Sequence, residues 1–218
     1  MNLAIIKYNA GNIRSVLNAI GRLDIQAEVT DDPEKIRSAD RVIFPGVGEA
    51  GSAMKSLRQN GLDAVIKDLK QPVLGICVGM QLLCDHSEEG NTDCLGIIPI
   101  AVKKFDPSKM QADRGEDAYQ MDPKSTIAEA PLKIKVPQVG WNQIYGLRSG
   151  LFNQVDEGSF IYNVHSYYAE DSPFTIATCR YGIEYAAAVC RDNFYGVQFH
   201  AEKSAEVGDR IIKNFIEG

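Results

Sequence analysis

PVLGICVGMQLL, residues 72–83, is the stretch on which the fold of this chain turns. Pro72 to Ile76 is a short apolar run of the kind that fills a strand buried on both faces. Beyond Cys77 the apolar residues continue in a segment that reads as a helix, so the cysteine stands at the junction of two elements. Gly75-x-Cys77-x-Gly79 has the spacing of the nucleophile elbow usually written with serine. In that motif the nucleophile sits on a tight strand-to-helix turn, and small flanking residues let strand and helix approach. A thiol so placed lies near first-turn N–H groups, whose partial positive charge favours thiolate over thiol. The backbone N–H of Val78 is then in place to hold an oxyanion. The competing reading is a buried cysteine with two glycines that serve only helix–strand packing. The motif alone does not choose between them, and it needs partners.

Outward from this stretch, the first half of the chain alternates short apolar runs with amphipathic ones: NLAIIKY with NIRSVLNAIGRL, and RVIFPG with EAGSAMKSLRQNG. That is the pattern of strand and crossover helix, and it predicts a mostly parallel central sheet flanked by helices. The second half changes character. FIYNVHSYYAE, FTIATCRYGI, AAAVCRDN and FYGVQFH read as strands joined by turn residues, with a closing helix near AEVGDRIIKNFIEG, which predicts an antiparallel β extension of an α/β fold. One domain over residues 1–218 accommodates all of this. Residues 106–131 are polar, charged and bounded by prolines, and are expected to form a surface excursion, either a plain solvated connector or a lid or docking loop. YNAGN at residues 8–12 is expected to be a structural turn built on Gly11.

A net charge of -6 provides no positive field to gather nucleic acid or anionic lipid, which leaves small molecules and proteins as partners. Five scattered cysteines without a CxxC motif fit free thiols in a reducing compartment, so a cytoplasmic location is expected. No segment approaches the ~20 apolar residues of a membrane span.

Three histidines are available to take the thiol proton. His86 falls nine residues beyond Cys77, which at about 100° per residue predicts the opposite side of the elbow helix. His200 leaves a strand and is followed two positions later by Glu202. In extended chain such positions project to one side, so the carboxylate can reach the imidazole N–H, fix its tautomer and stabilise the imidazolium. Taken alone the pair also reads as a surface ion pair. His165 has Tyr167 in the corresponding place and no acid, and is assigned to structure or substrate contact. Cys84, Cys179 and Cys190 read as small apolar fillers. Cys84, His86 and Cys94 lack a fourth ligand at any usual zinc spacing, so no metal is expected, and no cofactor.

PGVGEAG, residues 45–51, carries Gly46-x-Gly48-x-x-Gly51, a literal dinucleotide fingerprint. It follows the second apparent βα unit, opens on Pro45 and has no acidic strand end about 20 residues on, all of which weaken that reading. The alternative is a second backbone donor, the N–H of Val47 or Gly48, completing an oxyanion hole beside the elbow.

Taken together, PGVGEAG, GICVGMQLL, PQVGWN, YNVHSYY and FYGVQFHAEKS resemble the class I, triad-type glutamine amidotransferases. Within that family they resemble the branch of glutaminase subunits that serve imidazole glycerol phosphate synthases in histidine biosynthesis. The likeness runs nearly end to end, interrupted by residues 106–131, and implies the flavodoxin-like sheet of that family. It implies that Cys77 is the nucleophile, His200 the base and Glu202 its orienting acid, with Val47 and Val78 supplying oxyanion N–H groups. Glutamine would be held by Gly46, Gly48, Gln81, Glu89, His165, Ser166 and Tyr167. The ammonia would pass to a cyclase subunit, a (β/α)₈ barrel, forming a heterodimer docked near Gln138, Trp141, Asn142 and Lys203. The same chemistry serving another synthase, such as one aminating a surface-polysaccharide sugar, uses the same residues and stays open here, as does a nucleotide-binding module. Two positions depart from the family: Gln138 stands where Pro-His is usual, and Ala201 stands where His-Pro-Glu is usual, which frees the backbone of His200.

Overall fold

The computed structural model describes residues 1–9, 12–110 and 134–218. Four short strands, β1 (Leu3–Ile6), β2 (Ala27–Thr30), β3 (Arg41–Phe44) and β4 (Val73–Ile76), are interleaved with helices α1 (Ile13–Arg22), α2 (Pro33–Ser38), α3 (Ala50–Gln59) and α4 (Leu62–Asp68). Each helix has a local cause. α1 turns Val16, Ala19 and Ile20 inward; α2 starts on Pro33 with Asp32 accepting from the Glu34 N–H at 2.9 Å; α3 is capped by Glu49, which accepts from the Ser52 N–H at 3.0 Å. β1 and β4 are buried along their whole length, as parallel strands covered on both faces must be.

After α5 (Val78–Leu83) come β5 (His86–Ser87), β6 (Thr92–Asp93), β7 (Ala101–Lys104), β8 (Gln138–Tyr145), β9 (Phe160–His165) and β10 (Tyr167–Ala169). These are followed by β11 (Thr175–Arg180), β12 (Glu184–Arg191), β13 (Phe194–Val197) and the closing helix α6 (Ala205–Glu217). The strands β2-β1-β3-β4-β13 run parallel. Beyond β13 the sheet turns antiparallel through β12 and β10, with β11, β8 and β9 branching from β12. The expected α/β architecture with an antiparallel extension is therefore what the chain adopts.

Register decides where the chemistry can sit. Phe44 lies opposite Gly75, and Val197 opposite Ile76, so β3, β4 and β13 end side by side. Ligands in open α/β sheets bind outside the carboxyl ends of the strands, and these three ends deliver the 45–51 loop, Cys77 and His200.

The elbow helix is shorter than expected. α5 has six residues and Cys84 closes it in an extended conformation. Its last carbonyls are taken by the N–H groups of Leu95, Gly96, Ile97 and Ile98, bound to Leu82, Cys84, Leu83 and Leu83 at 2.8–3.0 Å, and a helix whose terminal acceptors are used by another segment stops there. His86 accordingly belongs to β5, bonded to Asp93 at 3.0 Å, and not to the far side of the helix. Gly11, and the expected excursion from residue 111 to 131, lie outside the described residues.

Candidate active site

Cys77 adopts φ 53° and ψ -112° between β4 and α5. A non-glycine residue in this region is strained and persists only where the surroundings impose it. The constraint is visible: the Cys77 N–H donates to the Val197 carbonyl at 2.8 Å, and the glycines leave no alternative packing. A Cβ on Gly79 would overlap the Phe44 carbonyl oxygen, one on Gly75 would lie 2.8 Å from the Met80 nitrogen, and one on Gly46 would overlap the Gly79 nitrogen. The three glycines thus press the 45–51 loop, β4 and α5 onto one point, with the cysteine at its tip.

His200 follows β13. Its Nδ1 lies 2.8 Å from Glu202 Oε1, and both side chains are buried. The chain here is a single 3₁₀ turn, Ala201–Lys203, so it is the turn and not an extended strand that brings positions 200 and 202 together. No proline precedes Glu202, yet His200 is fixed by other means. Its N–H donates to the Tyr162 carbonyl at 2.9 Å, and its carbonyl accepts from Ser204 Oγ at 2.7 Å. Burial disfavours the imidazolium, but hydrogen bonds to Cys77 and Glu202, with the charge each carries when ionised, outweigh it and push the pKa up to about 10. The imidazole is thus bonded to the carboxylate on one side and shares the cavity with the Cys77 thiol, which is close enough to influence its charge. Burial pushes the Cys94 thiol up to about 12 and that of Cys84 higher still, so both stay neutral.

A cavity of about 380 Å³ opens onto this line. Val47, Gly48, Val78, Gln81, Glu89, His165, Ser166 and Tyr167 line it, whereas Gly46 lies behind the loop against α5. Gln81 is buried, and its amide nitrogen donates to the Tyr167 carbonyl and to Gln198 Oε1, both at 3.0 Å. Its NH₂ group is thus committed inside the protein. Glu89 accepts from the Ala50 N–H at 2.8 Å, and burial, with Glu49 close by, raises its pKa. His165 donates Nδ1–H to the Tyr167 carbonyl at 2.8 Å while Nε2 faces the Tyr185 hydroxyl at 3.3 Å. Burial lowers its pKa to about 4, so the ring is neutral.

The partner-facing expectation needs correction at two positions. Trp141 is 43% exposed and Lys203 is exposed, but Gln138 and Asn142 are buried. Gln138 Nε2 donates to Asn142 Oδ1 at 2.7 Å, and Gln138 Oε1 accepts from Tyr185 at 3.1 Å. Successive residues of a strand face opposite sides, so Trp141 and Asn142 cannot share a surface.

Three contacts escaped the sequence. Asn12 Nδ2 donates to Glu202 Oε1 at 3.0 Å, the Tyr8 hydroxyl donates to the Pro45 carbonyl at 2.7 Å, and Gln198 Nε2 lies 3.9 Å from Cys77 Sγ. Asn12 closes YNAGN, which reads as a structural turn, and that hides its other use. The dinucleotide reading of Gly46–Gly51 meets a physical obstacle. Pyrophosphate would need the α3 N-terminus, and there Glu49 and Glu89 already accept from the Ser52 and Ala50 N–H groups.

The family model of class I glutamine amidotransferases matches residues 4–217. The chain is 51% identical, over 100% of both chains, to the imidazole glycerol phosphate synthase subunit HisH of Bacteroides fragilis. It is 42% identical, again over 100% of both, to the subunit of that name from Escherichia coli K12. Its fold is similar to the crystal structure of a glutamine amidotransferase, with a TM-score of 0.69 at 15% identity, covering 100% of this chain and 98% of the other.

Proposed function

The chain belongs to the class I glutamine amidotransferase family, and from that premise we propose that it is the glutaminase subunit of an imidazole glycerol phosphate synthase, acting in histidine biosynthesis. The observation that carries the chemistry is the buried line from Cys77 through His200 to Glu202 at the floor of a cavity. Cys77, as thiolate, attacks the side-chain amide carbon of glutamine. The oxyanion is held by backbone N–H groups, Val78 at the helix start and Val47 on the facing loop. His200, protonated and steadied by Glu202, gives its proton to the departing ammonia, leaving a thioester. Water then loses a proton to His200 and attacks the thioester, and glutamate departs with the thiolate restored.

Ammonia released into neutral water is mostly ammonium, which has no lone pair to attack with, so the product is useful only if it reaches a second site unprotonated. This favours a docked cyclase subunit that forms imidazole glycerol phosphate and AICAR. The exposed Trp141 and Lys203 are proposed to face it, and Lys203 also lines the cavity. A glutaminase serving another synthase would use the same groups. The relatives at 51% and 42% identity favour the histidine pathway. Among the described residues, no helix is long and apolar enough to cross a membrane.

The test is glutamate release by the chain with and without a coexpressed cyclase barrel. Turnover should depend on the barrel and vanish in Cys77→Ala, and a glutamine-mimicking electrophile should add once, at Cys77. An adduct confined to another cysteine, or turnover retained in Cys77→Ala, sinks the proposal.

A further inference from the structure

Resting on the glutaminase reading above, we infer that Tyr8 and Asn12, at the two ends of the first strand-to-helix connection, are positioning residues that brace the oxyanion loop and the triad carboxylate from a single place in the fold. Tyr8 acts through the Pro45 carbonyl, and Asn12, which also lines the cavity, acts through Glu202.

Tyr8 is buried, with its ring 5.4 Å from that of Phe44 and its hydroxyl donating to the Pro45 carbonyl at 2.7 Å. Burial, with Cys77 nearby, drives the phenol far above its ordinary pKa, so it remains a donor at every working pH. On the other side of the same short loop, Gly46 is pressed against the Gly79 nitrogen. Gly46, the residue before Val47, is therefore held from two directions: its peptide to Pro45 by the Tyr8 hydroxyl, and its α-carbon by close packing against Gly79. A backbone donor must keep its aim to within a fraction of an ångström to stabilise an oxyanion, so freeing the Pro45 carbonyl loosens the Val47 N–H.

Asn12 stands at the N-cap position of α1 with φ 70°, a left-handed conformation that asparagine tolerates, but its side chain makes no capping bond. The amide instead reaches Glu202 Oε1 at 3.0 Å, across 190 residues of sequence. Glu202 Oε2 is buried with no hydrogen-bond partner among the described residues. His200 and Asn12 thus share the other oxygen, and these two bonds set the rotation of the carboxylate. The groups facing His200 are Cys77 from the elbow, Glu202 on its own turn and His165 from β9. Of these, Glu202 is the one that Asn12 controls.

The two halves separate experimentally, in the chain together with its synthase partner. Tyr8→Phe should lower kcat about tenfold with KM within about twofold, less than the ~10²–10³ lost with a whole oxyanion donor. Alkylation of Cys77 by iodoacetamide should be unchanged, because the nucleophile is untouched. Asn12→Ala should lower kcat by a similar factor and move the alkaline limb of the kcat/KM profile down by about one pH unit, since the imidazolium loses its aligned carboxylate. Asn12→Asp, which sets a like charge beside Glu202, should be worse than Asn12→Ala. Circular dichroism and melting curves are taken on the same samples. Unchanged kcat and pH profile in both variants, or losses of kcat that merely track loss of folded protein, overturn the inference. A wild-type complex without turnover sinks the glutaminase reading instead, and this inference with it.

Discussion

His165 is the residue whose surroundings make the plainest prediction. Its ring is buried, Nδ1–H is given to the Tyr167 carbonyl, and its pKa falls to about 4. In the unfolded chain a histidine titrates near 6.5. Above pH 6.5 both states are neutral and the ring contributes no pH dependence. As pH falls from 6.5 towards 4 the unfolded state takes up a proton that the folded state refuses, and stability is lost at up to about 1.4 kcal/mol per pH unit. Urea denaturation at pH 7, 6 and 5 should show His165→Gln losing less stability over that window than the wild type, with equal slopes counting against the assignment. His200 is the opposite case: a histidine of similar burial is held charged because Cys77 and Glu202 face it. The sequence marked His200 by its neighbour Glu202, and that part of the site was legible. The contact with Asn12 was not, because nothing local in either segment points to the other.

At the scale of the element, the elbow depends on glycines whose side-chain space is already filled by backbone. Gly79→Ala should destabilise the protein by about 1–3 kcal/mol, the range for overpacking, and suppress alkylation of Cys77, because the new Cβ must displace the Phe44 carbonyl. Gly21, inside α1, has nothing within 4 Å of the Cβ position. Gly21→Ala should therefore stabilise by about 0.5–1 kcal/mol, the ordinary gain of alanine over glycine in a helix. Chemical denaturation of the two variants side by side distinguishes a glycine needed for close approach from one that is not. The sequence placed this element correctly through the Gly75-x-Cys77-x-Gly79 spacing. It misjudged the helix length, since the segment 95–98 that ends α5 is remote from the local pattern.

For the whole molecule, β8 and β9 form a ribbon with two unlike faces. Gln138, Asn142, Asn163 and His165 point inward, while Val139, Trp141 and Val164 are 47%, 43% and 36% exposed. Val139 lies opposite Val164, and the Trp141 and Tyr162 rings stand 5.6 Å apart, so the exposed side chains make a continuous apolar strip that reaches the cavity at Val164. Apolar strips of this kind mark contact surfaces, and tryptophan is the commonest anchor in them. Trp141→Glu should weaken association with the proposed cyclase partner at least about tenfold, by size-exclusion copurification and titration, and leave the melting temperature of the free chain within about two degrees. Association at full strength would move the docking surface elsewhere.

The sequence by itself determined the order of strands and helices and singled out Cys77, His200 and Glu202 as candidates, because elbow spacing, apolar periodicity and turn chemistry all act over a few residues. Which segments become neighbours was decided only in three dimensions. β13 pairs with β4, bringing Gln198 within 3.9 Å of Cys77 across 121 residues, and Asn12 reaches Glu202 across 190. Those adjacencies come from burying all the apolar strands in one sheet at once, a property of the packed whole that no local window contains.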